Sequence, residues 1–179
     1  MHELSLHILD LLQNSFEAGA NQVTLDIRED WHNNQLEIVV EDNGRGIPQE
    51  MIDQVTSPFV TSRSTRKFGL GLSLLRATAE GCGGRLKIDS GLGKGTRIVV
   101  TFQCDHIDLP PLGDIASTII VFLTGRSGLR FMYRHSRDSR QFEFVTTGQE
   151  EFINSPVGLM RVKEDLQKGL AEFTRRCNL

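Results

Sequence analysis

A carboxylate followed by glycines, at the end of an apolar stretch, is the first feature of this sequence that could do chemistry. Leu36, Ile38 and Val40 alternate with other residues as in a half-buried strand, and Asp42-Asn43-Gly44-Arg45-Gly46-Ile47 follows. A strand holds such a carboxylate rigidly, and glycines leave the neighbouring backbone open to close approach. The pattern therefore predicts a hydrogen-bond acceptor at the wall of a binding site.

Two polar side chains on an earlier predicted helix, Leu4 to Glu17, could act at the same site. Asp10 and Asn14 are four residues apart, so their side chains meet on one face of that helix. Apolar residues occupy the other side. A polar stripe of this kind is usually a solvated helix face, so a role in binding depends on the motifs around it.

A third feature combines a basic loop with a pair of glycines. Residues 57–67 are polar and basic without a clear period, which fits either a disordered connector or a mobile lid that contacts phosphates. Gly69 and Gly71 then open an apolar helix predicted from Leu70 to about Glu80. A helix N-terminus with glycines offers N–H groups and a positive dipole end to an anion. Tight helix packing is the alternative reason for these glycines.

Around these motifs, the hydrophobic pattern predicts a helix, two strands, a loop, a helix and two strands. The first strand contains Val23 and Ile27, a short helix begins near Pro48, and Leu86 begins the third strand. A fourth strand follows the glycine-rich turn 91–95 and turns these residues inward: Thr96, Ile98, Val100 and Phe102. This order favours an α+β fold, a mostly antiparallel sheet with helices on one face.

The segment 105–111, which contains Pro110-Pro111, is the predicted boundary between domains 1–105 and 106–179. Beyond it, helical spacing from Leu112 to Phe122, a hairpin turning at 136–139 and a last helix from Pro156 predict an α-β-β-α unit. The unit is short for an independent core, which leaves open whether it folds alone, and packing on the first domain is the alternative. Nearby acidic residues favour a solubility role, rather than phosphate or nucleic-acid binding, for Arg130, Arg134, Arg137 and Arg140.

Composition limits the classes of function. A net charge of −3 over 179 residues gives no basic field for nucleic acid. Three cysteines without a CxxC pair, Cys82, Cys104 and Cys177, are typical of reduced thiols in the cytosol. The first residues lack a signal-peptide pattern, and the longest apolar stretch, near 115–123, is too short to span a bilayer. We therefore expect a cytoplasmic protein that binds neither nucleic acid nor membrane.

The three motifs in this order, followed by Gly95-Thr96, resemble the GHKL ATPases, the superfamily of gyrase, heat-shock chaperone ATPases, histidine kinases and MutL. The stretch Asn14-Ser15-Phe16-Glu17-Ala18-Gly19-Ala20 is most similar to MutL. Pro58-Phe59-Val60-Thr61-Ser62-Arg63 and Gly69-Leu70-Gly71-Leu72 are more similar to the histidine kinases. The resemblance covers about residues 3–102 and implies a Bergerat-type α/β sandwich that binds ATP and Mg²⁺.

The resemblance also implies a role for each matching residue. Asn14 would hold Mg²⁺ on the nucleotide phosphates, Asp42 would accept a hydrogen bond from the adenine amino group, and Thr96 would support Asp42. The other implied nucleotide contacts belong to the loop beside the base (Gly44, Gly46 and Ile47), the phosphate-binding backbone (Gly69, Leu70 and Gly71) and the lid (Thr61, Ser62 and Arg63). A neutral amide such as that of Asn14 can bind the metal without repelling phosphate.

Two positions depart from the family pattern. Hydrolytic relatives carry glutamate four residues before the metal-binding asparagine, and histidine kinases usually carry asparagine there, whereas this chain has Asp10. Its carboxylate is one methylene shorter but could still orient a water. A positioned base contributes roughly 10²–10⁴-fold, so we expect slow turnover with Asp10 as the catalytic residue. Lys67 stands where many relatives have glycine and is expected to place a cation near the phosphates.

Three functions are compatible with such a site. The first is a slow ATPase that acts as a nucleotide-controlled switch, and the second is a protein kinase of the histidine-kinase or anti-sigma type with its acceptor in trans. The third is a sensor that binds ATP without hydrolysis. The chain starts close to the metal-binding helix, so we expect no dimerising hairpin before it. We expect another protein as the partner of residues 106–179. Whether the chain also forms a homodimer is left undecided by the sequence.

Overall fold

The computed structural model describes residues 3–56, 71–126, 128–146 and 155–175, which form a mixed sheet and a layer of helices. In chain order the elements are α1 (Leu4–Glu17), β1 (Gln22–Asp30), β2 (Gln35–Asp42), α2 (Gln49–Thr56), α3 (Gly71–Gly81), β3 (Arg85–Ser90), β4 (Thr96–Gln103), α4 (Ile115–Leu123), β5 (Arg130–Arg137), β6 (Arg140–Val145) and α5 (Pro156–Arg175). Within the described ranges, none of the helices has the length and apolar character needed to cross a membrane.

The sheet confirms the expected α+β fold. Its strands are ordered β3-β4-β2-β1-β5-β6, and every neighbouring pair is antiparallel except β1 with β5. Because side chains alternate along a strand, one face collects the apolar residues, as where Leu25 lies between Val40 and Tyr133, all of them buried. The opposite face carries cross-strand ion pairs such as Arg97 with Glu41.

Residues after 105 extend the same sheet. Strand β5 lies parallel to β1, and α4 packs against α1. Apolar residues of both segments belong to one core, in which Ile119 and Phe131 are grouped with Leu12. A domain boundary near residue 105 would mean that residues 106–179 fold as a separate unit. This boundary stays a prediction.

Helix α4 begins three residues later than its apolar spacing suggested. Leu112 lies in the linker, because Gly113 adopts a positive φ of 82° that interrupts helical geometry. Asp114 then caps the helix by accepting a hydrogen bond of 2.9 Å from the backbone N–H of Ser117. The first turn of α4 therefore starts at Ile115.

The linker before α4 also caps the N-terminus of α1. The first N–H groups of a helix need partners outside it, and the side chain of Glu3, the N-cap residue, accepts no hydrogen bond from them. Instead, the N–H groups of Leu4 and Ser5 donate to the carbonyl oxygens of Pro111 and Leu112, each at 2.9 Å. The C-terminal segment therefore holds the beginning of α1 in place.

The C-terminal end of α1 contacts Arg126, which follows α4. The guanidinium of Arg126 lies 4.5 Å from the ring centroid of Phe16 and 4.7 Å from that of Phe122. It also donates a hydrogen bond to the Phe122 carbonyl oxygen. Cation–π contacts contribute about 0.5–2 kcal/mol each. Helix α1 is thus held at both ends by residues of the C-terminal segment.

A buried polar cluster joins β1 to β5. The carboxylate of Glu29 accepts hydrogen bonds from His135 Nε2 at 2.7 Å and from Arg137 Nε at 2.9 Å. The hydroxyl of Tyr133 lies 3.0 Å from the other ring nitrogen of His135. Burial raises the pKa of Glu29, but the hydrogen bonds from His135 and Arg137 outweigh burial, so this pKa lies below its ordinary value.

The arginines of the β5–β6 hairpin have a structural role beyond the predicted one of solubility. Arg134 pairs with Asp26 at 2.6 Å, and Arg137 hydrogen-bonds to Glu29. Both carboxylates belong to β1. These two arginines therefore fasten β5 to the strand beside it.

The lowered pKa of Glu29 predicts a pH dependence of stability. A carboxylate whose pKa is depressed in the folded state stabilises that state above its unfolded pKa, and this contribution is lost as the pH falls. We expect the free energy of unfolding to decrease below about pH 4.5, the ordinary pKa of this group, and to decrease less steeply in Glu29→Gln. At neutral pH, Glu29→Gln should lose about 1.5–3 kcal/mol, the contribution of a hydrogen bond to a charged group.

Chemical denaturation at several pH values measures both effects. Glu37→Gln is the matched control, because Glu37 pairs with Arg28 on the exposed face of the sheet, where ion pairs contribute little. Identical pH profiles for the wild type and Glu29→Gln would contradict the prediction.

Candidate functional site

A cavity of about 230 Å³ opens between the C-terminal half of α1, the loop after β2 and the beginning of β4. Several residues predicted from the sequence line it together: Asn14, Asp42, Gly46, Ile47 and Thr96. Other residues complete its wall: Leu11, Ser15, Glu17, Ala18, Arg45, Leu72 and Ile98. The cavity therefore joins polar groups from α1 and β2 to an apolar lining.

Asp42 is held by a hydrogen bond to each of its carboxylate oxygens. The hydroxyl of Ser15 donates to Oδ2 at 2.8 Å, and the backbone N–H of Gly44 donates to Oδ1 at 2.9 Å. A carboxylate oxygen can accept two hydrogen bonds, so Asp42 retains capacity for a ligand. Its position at the end of β2 and these two donors hold the carboxylate in place, and its role as the acceptor for a ligand stays a prediction.

The loop after β2 is attached to the end of α1 and the start of β1. The side-chain oxygen of Asn43 accepts hydrogen bonds from the N–H groups of Asn21 and Gln22, at 3.1 and 3.0 Å. The N–H of Arg45 donates to the carbonyl of Ala18 at 3.0 Å. These bonds fix the distance between the loop and the helix that carries Asn14.

The opposite side of the loop packs directly on the turn between β3 and β4. A Cβ atom on Gly46 would lie 2.0 Å from the carbonyl oxygen of Gly91, and one on Gly95 would lie 2.0 Å from that of Asp42. Both glycines also have positive φ, 73° and 78°. Backbone contact within the protein therefore requires these glycines, and the predicted role of Gly46 in leaving room for a base stays a prediction.

Ser90 joins three parts of this region. Its hydroxyl lies 2.8 Å from the N–H of Ile47, 2.8 Å from the carbonyl oxygen of Gly95 and 3.0 Å from the hydroxyl of Thr96. Thr96 is the cross-strand neighbour of Asp42. The end of β3 is therefore tied both to the loop after β2 and to the cavity wall.

Asp10 and Asn14 occupy successive turns of α1, as the sequence predicted. Asn14 is half-buried and lines the cavity, whereas Asp10 is exposed. A Cβ atom on Gly71 would lie 3.0 Å from Oδ2 of Asp10, so this carboxylate lies against the first residue of α3. The partial positive charge at a helix N-terminus favours an anion at that position.

The remaining predicted contacts fall outside the described residues: Thr61, Ser62, Arg63, Lys67, Gly69 and Leu70. The roles assigned to all the predicted residues stay predictions.

Sequence reasoning missed several residues that shape the cavity. Ser15 stands at the border between the polar and the apolar face of α1, next to Asn14, and this position was the available signal for it. Ser90 stands between the alternating residues of β3 and a glycine-rich turn, a position without a local signal for a role at the site. Arg45, whose guanidinium donates to the carbonyl of Glu17 at 2.8 Å, stood inside the glycine motif. Its position beside Asp42 was the available signal.

Comparison with known proteins agrees with this geometry. Residues 2–106, more than half of the chain, match the family described as histidine kinase-, DNA gyrase B- and HSP90-like ATPase. The chain is 31% identical over 108 residues to a putative sensor histidine kinase NtrY-like of Rickettsia conorii, a match that covers 57% of this chain and 17% of the relative. It is 33% identical over 98 residues to the sensor protein kinase WalK of Staphylococcus haemolyticus, covering 52% and 16%.

Each of these curated relatives is thus several times longer than the region it shares with this chain. Among solved structures, the N-terminal domain of a DNA repair protein superposes with a TM-score of 0.59 at 15% identity. The superposition covers 89% of this chain and 59% of that one. This likeness shows the fold, including part of the segment beyond residue 106.

The interlocked glycines predict a specific cost of adding one methyl group. Gly46 and Gly93 have nearly equal φ, 73° and 72°, but a Cβ on Gly93 meets nothing within 4 Å. Gly93→Ala should therefore lower the free energy of unfolding by about 1–2 kcal/mol, the cost of holding a residue with a Cβ in the left-handed conformation. Gly46→Ala should lower the free energy of unfolding by about 1–3 kcal/mol more than Gly93→Ala does, because the added Cβ meets a backbone carbonyl.

The free energies of unfolding of the two variants, measured by chemical denaturation, give this difference directly. Equal losses in Gly46→Ala and Gly93→Ala would show that the loop after β2 does not rest on the turn between β3 and β4.

Proposed function

The chain belongs to the histidine kinase-, DNA gyrase B- and HSP90-like ATPase family, and from this membership, which implies ATP binding, we propose a more specific function. The protein is a Mg²⁺-dependent ATP-binding switch that hydrolyses ATP slowly. The observation that carries this proposal is the doubly hydrogen-bonded carboxylate of Asp42 in a cavity that Asn14 also lines.

The Asp42 end of the cavity suits adenine. An exocyclic amino group donates hydrogen bonds, and Asp42 offers a free acceptor site on a carboxylate that Ser15 and Gly44 hold in place. Ile47 and Leu72 supply apolar surface in the same cavity. Apolar walls with a few placed polar groups are typical of cofactor sites.

The Asn14 side of the cavity suits the phosphates and Mg²⁺. This cation prefers oxygen ligands and keeps several waters when it binds nucleotides, so one neutral amide oxygen from Asn14 is a sufficient protein ligand. Among the described residues, no group of three or more His, Cys, Asp or Glu side chains is placed to hold a metal. The chemistry of this donor set therefore fits a metal that arrives with the phosphates, whose charge it would neutralise.

Asp10 is the candidate base. It lies one turn before Asn14 and against Gly71 at the start of α3. From there its carboxylate would orient a water molecule and accept a proton as that water attacks the terminal phosphate. The carboxylate of Asp10 is exposed, so it must share its hydrogen bonds with solvent, which agrees with slow turnover.

The switch part of the proposal rests on α1. The helix carries Asp10 and Asn14, while its first N–H groups bind Pro111 and Leu112 and its last turn contacts Arg126. A shift of α1 on nucleotide binding would therefore be passed to residues 106–126. We propose that the segment beyond 106 presents this change to a partner protein.

Transfer of phosphate to another protein is the second candidate function. It is favoured by the similarity of this region to two proteins described as sensor kinases. In this case Asp10 would not activate water, and the terminal phosphate would leave to an acceptor side chain supplied in trans.

Substitutions on α1 test these assignments with ATP labelled at the γ-phosphate. Asn14→Ala should weaken binding of Mg²⁺-ATP about 10–100-fold, since it removes a ligand of a charged group. Asp10→Asn should keep ATP affinity within a few-fold and lower phosphate release about 10²–10⁴-fold. Asp165→Asn, which removes an exposed carboxylate from α5, is the control and should change neither quantity.

Each alternative has its own outcome in the same experiment. Unchanged phosphate release in Asp10→Asn would contradict the role of Asp10. Label on an added protein, with none released to water, would establish the kinase instead of the ATPase.

A further inference from the structure

Three residues form a row across three strands at the adenine end of the cavity. Ser90 is the cross-strand neighbour of Thr96, and Thr96 is the neighbour of Asp42 on its other side. Thr96 and Asp42 line the cavity, and Thr96 is buried. Ser90 lies on the side of Thr96 away from Asp42; it does not line this cavity, and it borders a neighbouring cleft together with Asp42 and Thr96.

The hydrogen bonds of Ser90 determine where its proton lies. A serine hydroxyl has one proton to donate and two lone pairs to accept with. The carbonyl oxygen of Gly95, 2.8 Å away, can only accept, and the N–H of Ile47, also at 2.8 Å, can only donate. Ser90 therefore gives its proton to Gly95 and has one lone pair left for its third neighbour.

This third neighbour is the hydroxyl of Thr96 at 3.0 Å. Because the proton of Ser90 is already committed to Gly95, Thr96 must be the donor in the bond between the two hydroxyls. Within the described part of the chain, the Thr96 hydroxyl has no other hydrogen-bond partner. The hydroxyl of Thr96 can therefore accept a hydrogen bond from a ligand in the cavity, but it cannot donate one, because its proton is hydrogen-bonded to Ser90.

The wall formed by Asp42 and Thr96 thus only accepts hydrogen bonds. A purine with an amino group at position 6 presents a donor to this wall. A purine with a carbonyl at position 6 presents an acceptor there, so its oxygen and the acceptor that faces it both lose a hydrogen bond. Its N1–H is a donor, but it can reach Asp42 only if the base moves along the wall. A site built in this way rejects the mismatched ligand strongly, because its buried polar groups lose their bonds.

We propose that Ser90 is a positioning residue that sets the base specificity of the site: by accepting the proton of Thr96, it keeps a donor out of the cavity and so excludes 6-oxopurine nucleotides. The inference rests on the proposed function, since it places the 6-position of the base at Asp42. It adds that a residue without ligand contact decides which base is accepted.

The test compares ATP with inosine triphosphate, which carries a carbonyl in place of the 6-amino group and lacks the 2-amino group of guanine. The wild type should prefer ATP by at least about tenfold. In Ser90→Ala the proton of Thr96 is released and can turn to a carbonyl in the cavity. The ratio of the dissociation constants of inosine triphosphate and ATP should then decrease about two- to tenfold, which corresponds to one hydrogen bond. The decrease should come chiefly from tighter binding of inosine triphosphate.

Two further variants separate specificity from stability. Ser90→Thr keeps the hydroxyl and should keep the wild-type preference. Thr146→Val removes another buried hydroxyl that bridges two backbone groups, the N–H of Phe131 and the carbonyl of Leu129. It should lower the free energy of unfolding as Ser90→Ala does, without changing the ratio of the two dissociation constants.

The outcomes separate this inference from the function on which it rests. If the wild type binds neither nucleotide, the proposed function fails. If it binds both equally, or if Ser90→Ala weakens both by the same factor, nucleotide binding stands and the specificity role of Ser90 is wrong. A narrowed ratio in Ser90→Ala alone supports the inference.

Discussion

The carboxylate of Asp42 is the constraint around which this structure is arranged. A charged group at a cavity wall is useful only if its position is determined by more than its own strand. Here Ser15 reaches it from α1, and the Gly44 N–H reaches it from the following loop. The backbone carbonyl of the same residue closely approaches Gly95 at the start of β4. One residue therefore relates the helix layer, the loop and the sheet.

Helix α1 connects this site to the rest of the molecule. It carries Ser15 toward Asp42 and Asn14 into the cavity, while its two ends are held by the linker carbonyls and by Arg126. Most of a helix's stability in proteins comes from such tertiary packing rather than from propensity. The segment beyond residue 106 is therefore part of what positions the proposed metal ligand, and its parallel strand continues the sheet beside β1.

Local patterns in the sequence predicted much of this arrangement. Period-two alternation located β2 and its terminal carboxylate, and helical spacing placed Asp10 and Asn14 on one face of α1. Pairing of β5 with β1 has no local signal, because these strands are distant in sequence and parallel. The bonds of Ser15 and Ser90 could not be predicted either, since a serine near a helix face or a turn is compatible with many partners. Only the assembled sheet brings Ser90, Thr96 and Asp42 into one row.

In the proposed complex, the base of ATP binds at Asp42 and its phosphates lie toward Asn14. The most direct test is a crystal structure of the complete chain with Mg²⁺ and a non-hydrolysable ATP analogue. We expect the 6-amino nitrogen about 3 Å from a carboxylate oxygen of Asp42, and the side-chain oxygen of Asn14 bound to the metal. A nucleotide bound in the opposite direction, with its phosphates beside Asp42, or a base outside this cavity, would contradict it.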